Sequence, residues 1–197
     1  MRDKEGMFSG TNDELADNYR NGIQRIPLAL SQVEIPLIAA INGPAVGAGC
    51  DLTCMCDIRI ASDKAKFAES FIKVGIIPGD GGAWFLPRII GISRASQMAL
   101  TGQMIDAQTA LQWNLVSEVV EHDVLMHRAN ELAQQIACNP PQVIRATKRL
   151  LTLGQTMDLP ELLNESATVQ AQMHATQDHI EAVNAFLEKR APNFKGC

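Results

Sequence analysis

The stretch that most constrains this chain is IPLIAAINGPAVGAGCDL, residues 35–52. Residues 35–41 are a short apolar run closed by Asn42-Gly43, the pattern of a strand buried on both faces. Gly43, Gly47 and Gly49 then let the backbone turn tightly, and an apolar helix runs from about residue 49 to Met55. A buried strand that turns on glycine into a helix opens an α/β fold. The first N–H groups of such a helix lack intrahelical partners and sit at the positive end of its dipole. They suit a phosphate, or an oxyanion developing on a carbonyl.

Two nucleotide-binding readings fail at this turn. A dinucleotide fingerprint counted from Gly47 needs glycine or alanine where Leu52 stands, and a phosphate-binding loop needs a Gly-Lys-Ser/Thr that is absent. The loop by itself is equally compatible with a turn made only for close packing. Asp51 argues for more. It falls in the first turn of a helix otherwise built from Cys50, Leu52, Cys54 and Met55. A carboxylate there compensates the helix dipole, or, beside an oxyanion pocket in partly apolar surroundings, carries a proton with a raised pKa.

Charge and cysteine usage narrow the partners. A net charge of −5 and a pI near 5.3 exclude an electrostatic nucleic-acid surface. The uncharged residues 35–50 are broken by Asn42, Gly43, Pro44, Gly47 and Gly49, so they are no membrane span. The start MRDKE leads into no apolar run and is no signal peptide. Cys50, Cys54, Cys56, Cys138 and Cys197 are odd in number and lack zinc spacing, which predicts reduced, buried thiols, no metal site and a cytoplasmic location. His122, His127, His174 and His179 have no ligand partners at useful spacing and read as surface or packing residues.

Along the chain, residues 1–12 read as a loop and residues 13–30 as helix interrupted at Gly22 and Pro27. Residues 57–62 and 66–69 read as strands, and Pro78-Gly79-Asp80-Gly81-Gly82 is a second tight loop opening a helix through Ile90. Helices then follow over 93–100, 106–113, 123–137 and 141–153, with two more between 159 and 190 and a short strand at 117–120. Arg145, Lys148 and Arg149 read as a solvated helix face, and Trp84 and Trp113 as core. The pattern predicts an α/β core over 1–120 and a helical region over 121–197.

The segments IPLIAAINGPAVGAGCDLTCMCDIRIAS, AKFAESFIKVGIIPGDGGAWFLPRIIG, LTGQMIDAQTALQWNLVSEVV, NPPQVIRATKRLL and AFLEKRAPNFKGC follow in that order. With them the chain resembles the crotonase superfamily of enoyl-CoA hydratases and isomerases, from about Asn18 onward. The resemblance implies a spiral of ββα units followed by a C-terminal helical region. It implies a homotrimer or hexamer associating through residues 159–190, and an acyl-CoA thioester as substrate with no separate cofactor. The implied reaction is addition of water to a trans-2-enoyl-CoA through an enolate. Double-bond isomerisation or other enolate chemistry is the alternative, and a catalytically incompetent oligomer component is a second. The backbone N–H of Ala48 would polarise the thioester carbonyl, with Asp51 as the first acid. Phe186 and Lys189 stand where relatives reach CoA held by a neighbouring subunit.

The chain departs from that pattern in three places. Its first acid is the shorter Asp51 where glutamate is expected. The second acid position falls on Phe71, which would then touch substrate rather than move protons. Asp80 is the favoured replacement, although relatives carry an acid one position earlier, at Gly79, and Asp80 is otherwise a turn residue. Glu69 faces the same way on an extended segment, but reads better as a solvated charge at a strand end. Finally, the strands and the Ala-Gly-x-Asp-Leu stretch expected upstream are not in the sequence. It therefore reads as lacking its N-terminal segment and as a poor catalyst alone.

Overall fold

The computed structural model describes residues 8–197. They divide into two compact units, one running to Val33 and from Leu37 to Ala129, the other comprising Glu34–Pro36 and Asn130–Cys197.

In the first unit, Gly22 splits the expected long helix into α1 (Asn12–Asn21) and α2 (Arg25–Ser31). Thr11 and Glu14 close the start of α1 with a reciprocal capping box. Then follow β1 (Ile38–Ile41), β2 (Pro44–Val46), α3 (Ala48–Cys54), β3 (Ile58–Ser62) and β4 (Lys66–Ala68). A 3₁₀ turn at Ser70–Val74 leads to α4 (Gly82–Ile90), α5 (Ile92–Thr101), β5 (Met104–Asp106), α6 (Ala107–Gln112) and β6 (Glu118–Val120). The first four strands alternate between two sheets, and β5 stays in the sheet of β4. One has the order β1-β3-β6, all parallel, and the other β2-β4-β5, in which β5 is antiparallel to β4. The first two turns of the chain each give a strand to each sheet before a helix returns it, as in the expected ββα spiral, and α6 separates the last two strands.

Two strands escape the sequence reading. Residues 44–46 are a strand, not part of the glycine turn, and residues 104–106 pair with β4 before α6 begins. Both are three residues long, and Pro44 is tolerated because β2 is an edge. The core between the sheets and helices is built on Phe67, Ile60, Met98 and Leu115, all without exposed surface. Burying each such side chain contributes about 1.5–3 kcal/mol. Trp84 is not core. It is 44% exposed, with the Arg88 guanidinium 3.9 Å above its ring, whereas Trp113 does pack on the core cluster. Cys50 and Cys54 are buried as expected, but Cys138 and Cys197 are exposed.

The helix α7 (Leu125–Ala137) passes from the first unit into the second, which adds α8 (Pro141–Leu153), α9 (Leu159–His174) and α10 (Gln177–Glu188). Asp158 and Thr176 cap the last two helices. Within this unit the basic face of α8 is engaged rather than merely solvated: Arg149 pairs with Glu165, and the Lys148 ammonium donates to the Ile35 carbonyl at 2.8 Å. The tail after α10 is fastened by the buried Asp178, which accepts from Lys195 N–H at 2.7 Å and Gly196 N–H at 2.9 Å. No helix among the described residues is long and apolar enough to cross a membrane.

Candidate active site

The site is assembled by the glycine turn. Gly47 has φ +56° and ψ −123°, a conformation that strains any residue with a Cβ, and its N–H donates to the Ala68 carbonyl at 2.8 Å. That bond ties the start of α3 to the exit of β4. Ala48, exposed, is the first residue of α3, so its N–H has no partner within the helix. One turn on, the Asp51 N–H donates to the Gly47 carbonyl at 3.0 Å, and the Asp51 side chain enters the interior with no exposed surface.

Two further carboxyls meet it. Asp80, from the loop before α4, is 4% exposed, and Glu69, at the exit of β4, is 1% exposed. Asp51 lies within electrostatic reach of both of them. Its carboxylate lies flat against Gly82, where an added Cβ would stand 2.0 Å from Oδ1. A glycine is therefore obligatory at the start of α4. The structure brings Asp51 and Asp80 together, with Ala48 at the start of the helix that carries Asp51, and adds Glu69, which is interior rather than a solvated strand-end charge.

No donor reaches Asp51 Oδ1 and Oδ2, Glu69 Oε1 and Oε2, or Asp80 Oδ1, all of them buried. Isolated carboxylates cannot be held that way, because burial of an unpaired charge costs several kcal/mol. The carboxyls must share protons. Burial, then hydrogen bonds to Asp80 and Glu69 and their charge, push the Asp51 carboxyl up to about 11. Burial also raises Glu69, against hydrogen bonds from Asp51 and the Cys50 thiol that lower it. The Cys50 thiol in turn is raised by its hydrogen bond to Cys54 and by burial, while Cys54 is lowered by Cys50 and by the Arg59 charge. Arg59 itself is committed to the Leu115 and Cys56 carbonyls, each at 2.6 Å. Asp51 is thus a neutral acid at neutral pH, a proton store beside Glu69 at a helix start.

Phe71 stands on the 3₁₀ turn, half-buried, with its ring 3.4 Å from where a Cβ on Gly47 would lie. Its ring is an apolar surface beside Gly47. Phe186 and Lys189 lie in the second unit. Phe186 is 83% exposed near the end of α10, and Lys189 closes that helix at φ +55°. No group of three or more histidine, cysteine or acidic residues among those described is arranged to hold a metal ion.

The model of the enoyl-CoA hydratase/isomerase family matches residues 2–197. The chain belongs to this family. Among curated relatives, it is 42% identical over 161 residues to the 2,3-dehydroadipyl-CoA hydratase of Escherichia coli, covering 82% of this chain and 63% of the relative. It is 37% identical over 167 residues to the 1,2-epoxyphenylacetyl-CoA isomerase of the same organism, covering 85% of the chain and 64% of the relative. The crystal structure of an enoyl-CoA hydratase from Bacillus anthracis superposes with a TM-score of 0.90 at 36% identity, covering 95% of this chain and 72% of that one. The fold is therefore the crotonase fold of the family. The chain spans less than two thirds of the length of the first curated relatives it matches, 57% to 63% of each.

Proposed function

We propose that the chain performs enolate chemistry on an acyl-CoA thioester, with the Ala48 N–H at the carbonyl oxygen and Asp51 as the proton-transfer group. The observation that carries this reading is the convergence of three buried, donorless carboxyls behind the open amides of α3. As a Cα proton leaves, charge grows on the thioester oxygen, and a preorganised N–H stabilises it. A neutral Asp51 gives a proton to carbon while a neighbouring carboxylate takes one, so protons balance with no cofactor beyond the CoA of the substrate.

Two reactions use these parts. Hydration of a trans-2-enoyl-CoA adds water at Cβ and a proton at Cα, and it needs polar groups to hold the water. Isomerisation moves a proton from Cα of a 3-enoyl-CoA to Cγ. Hydratases and an isomerase of CoA esters are both among the relatives. The apolar Phe71 at the position of the second acid favours isomerisation over efficient hydration.

The apolar residues Leu159, Leu163, Ile180, Val183 and Leu187, exposed on α9 and α10, support association into trimers or hexamers. In such an assembly Phe186 and Lys189 would meet the adenine and a phosphate of CoA on a neighbouring copy. The free cysteines suit a reducing, cytoplasmic location.

The test is to assay the purified chain with crotonyl-CoA and with a 3-enoyl-CoA, following the enoyl absorbance. Turnover should be measurable, greater with the 3-enoyl substrate, and reduced 10²–10⁴-fold in Asp51→Asn. Phe71→Glu should shift the preference toward hydration. No turnover of either substrate, or an unaffected Asp51→Asn, would overturn the reading. Native mass spectrometry should show trimers or their multiples, and a clean monomer would refute the association.

A further inference from the structure

We propose that Glu69 is the positioning carboxylate that holds Asp51 as a neutral acid, filling from the exit of β4 the partner's role that a side chain at position 71 does not fill. The inference rests on the enolate reading for its purpose, but its physical basis is independent of any substrate. Glu69 follows Ala68, whose carbonyl receives the Gly47 N–H, so the backbone that fixes the start of α3 also fixes Glu69. Its side chain is closed in, at 1% exposure, between Cys50 and Asp51 of α3. Both of its oxygens are buried and without a hydrogen-bond partner among the described residues.

The groups facing Asp51 are few. From the exit of β4 comes Glu69, from the loop before α4 comes Asp80, and from its own helix come Cys50 and Cys54 by way of Glu69. Arg59 acts on Cys54. Among the described residues no cation is among the groups acting on Asp51 or Glu69, and a proton on Asp51 is the counterpart this proposal gives Glu69. The 3₁₀ turn begins at Ser70 and carries residue 71 out to the rim, where Phe71 sits half-buried. A carboxyl two residues earlier stays inside. In turnover Asp51 would lose its proton to carbon and Glu69 would face a second negative charge. The proton taken from substrate is therefore returned to Asp51, and the pair is reset.

The experiment is isotope-edited infrared spectroscopy of the whole chain with ¹³C-labelled aspartate, run beside the kinetic pH profile. Wild type should show the carbonyl stretch of a protonated, unsolvated aspartic acid at pH 8, and Asp51→Asn should lose it. In Glu69→Gln the band should titrate away about one pH unit or more lower, because a neighbouring negative charge no longer favours protonation. The alkaline limb of kcat should move acidward with it, while KM changes little, and Glu69→Asp should restore much of the wild-type profile. A band absent at pH 8, or one that Glu69→Gln leaves in place, overturns the proposal. An infrared shift without any change in turnover leaves the pairing intact and defeats the enolate reading instead.

Discussion

Replacing Asp51 by asparagine should remove activity and at the same time stabilise the fold, increasingly so as pH rises. The folded state holds a proton on Asp51 up to about pH 11, whereas an aspartate in the unfolded chain loses it near 3.8. Between those values the folded state binds one proton more than the unfolded state. Stability therefore falls as pH rises through this window, by about 1.4 kcal/mol per pH unit. At pH 5 the penalty is on the order of 1–2 kcal/mol, and at pH 7 about 4 kcal/mol. Asparagine keeps the shape, cannot ionise, and offers N–H donors to Glu69 and Asp80.

The measurement is urea or thermal denaturation of both proteins from pH 5 to pH 8. The advantage of Asp51→Asn over wild type should grow by about 3 kcal/mol between pH 5 and pH 7. For a chain of this size that is roughly 6–12 °C in Tm. Stability gained where activity is lost is the expected signature of a strained functional group. Parallel pH profiles for the two proteins would refute the reasoning, since they would mean that Asp51 is ionised in the fold and its charge is met by something else.

Two other substitutions test the framework around the cluster. Gly82→Ala places a Cβ 2.0 Å from Asp51 Oδ1, so either α4 or the carboxylate must move. Turnover should fall at least as far as in Asp51→Asn, with a loss of about 1–3 kcal/mol in stability from overpacking, and a wild-type melting curve and rate would contradict the geometry. Asp178→Ala leaves the N–H groups of Lys195 and Gly196 without their buried acceptor. It should cost about 1–3 kcal/mol and open the last residues to carboxypeptidase, whereas a tail as resistant as wild type's would show that Asp178 is not its fastening.

How much of this was legible in the sequence depends on how local each signal is. The β1 strand, the Gly47 turn and the second glycine loop announce themselves, because glycine and short apolar runs act within a few residues. The strands β2 and β5 do not, because three residues carry no usable period and are strands only through their pairing with β4. Glu69 was misread for a similar reason. A charge at the end of a strand is ordinarily solvated, and its burial follows from where α3 and the loop at Asp80 come to rest. One local signal did point inward. Glu69 lies two residues after Phe67, on the same face of the extended chain, and Phe67 is a core residue.

That alternation also accounts for the departures from the family pattern taken together. A glutamate at position 71 would stand on the half-buried 3₁₀ turn, close enough to solvent to ionise and hold a water. A glutamate at position 69 stands at the strand exit, closed from solvent, with Asp51 as its neighbour. Moving the second acid two residues earlier thus changes its chemistry and not merely its address. The site loses a group suited to gripping water, gains a shared proton, and closes the vacated position with an aromatic ring against Gly47. A shorter first acid is consistent with this, because Asp51 has a partner already in contact and Gly82 leaves room for nothing longer. On the proposed reading this arrangement disfavours hydration and favours proton relocation, so the preference between a 3-enoyl and a 2-enoyl thioester is the measurement most sensitive to it.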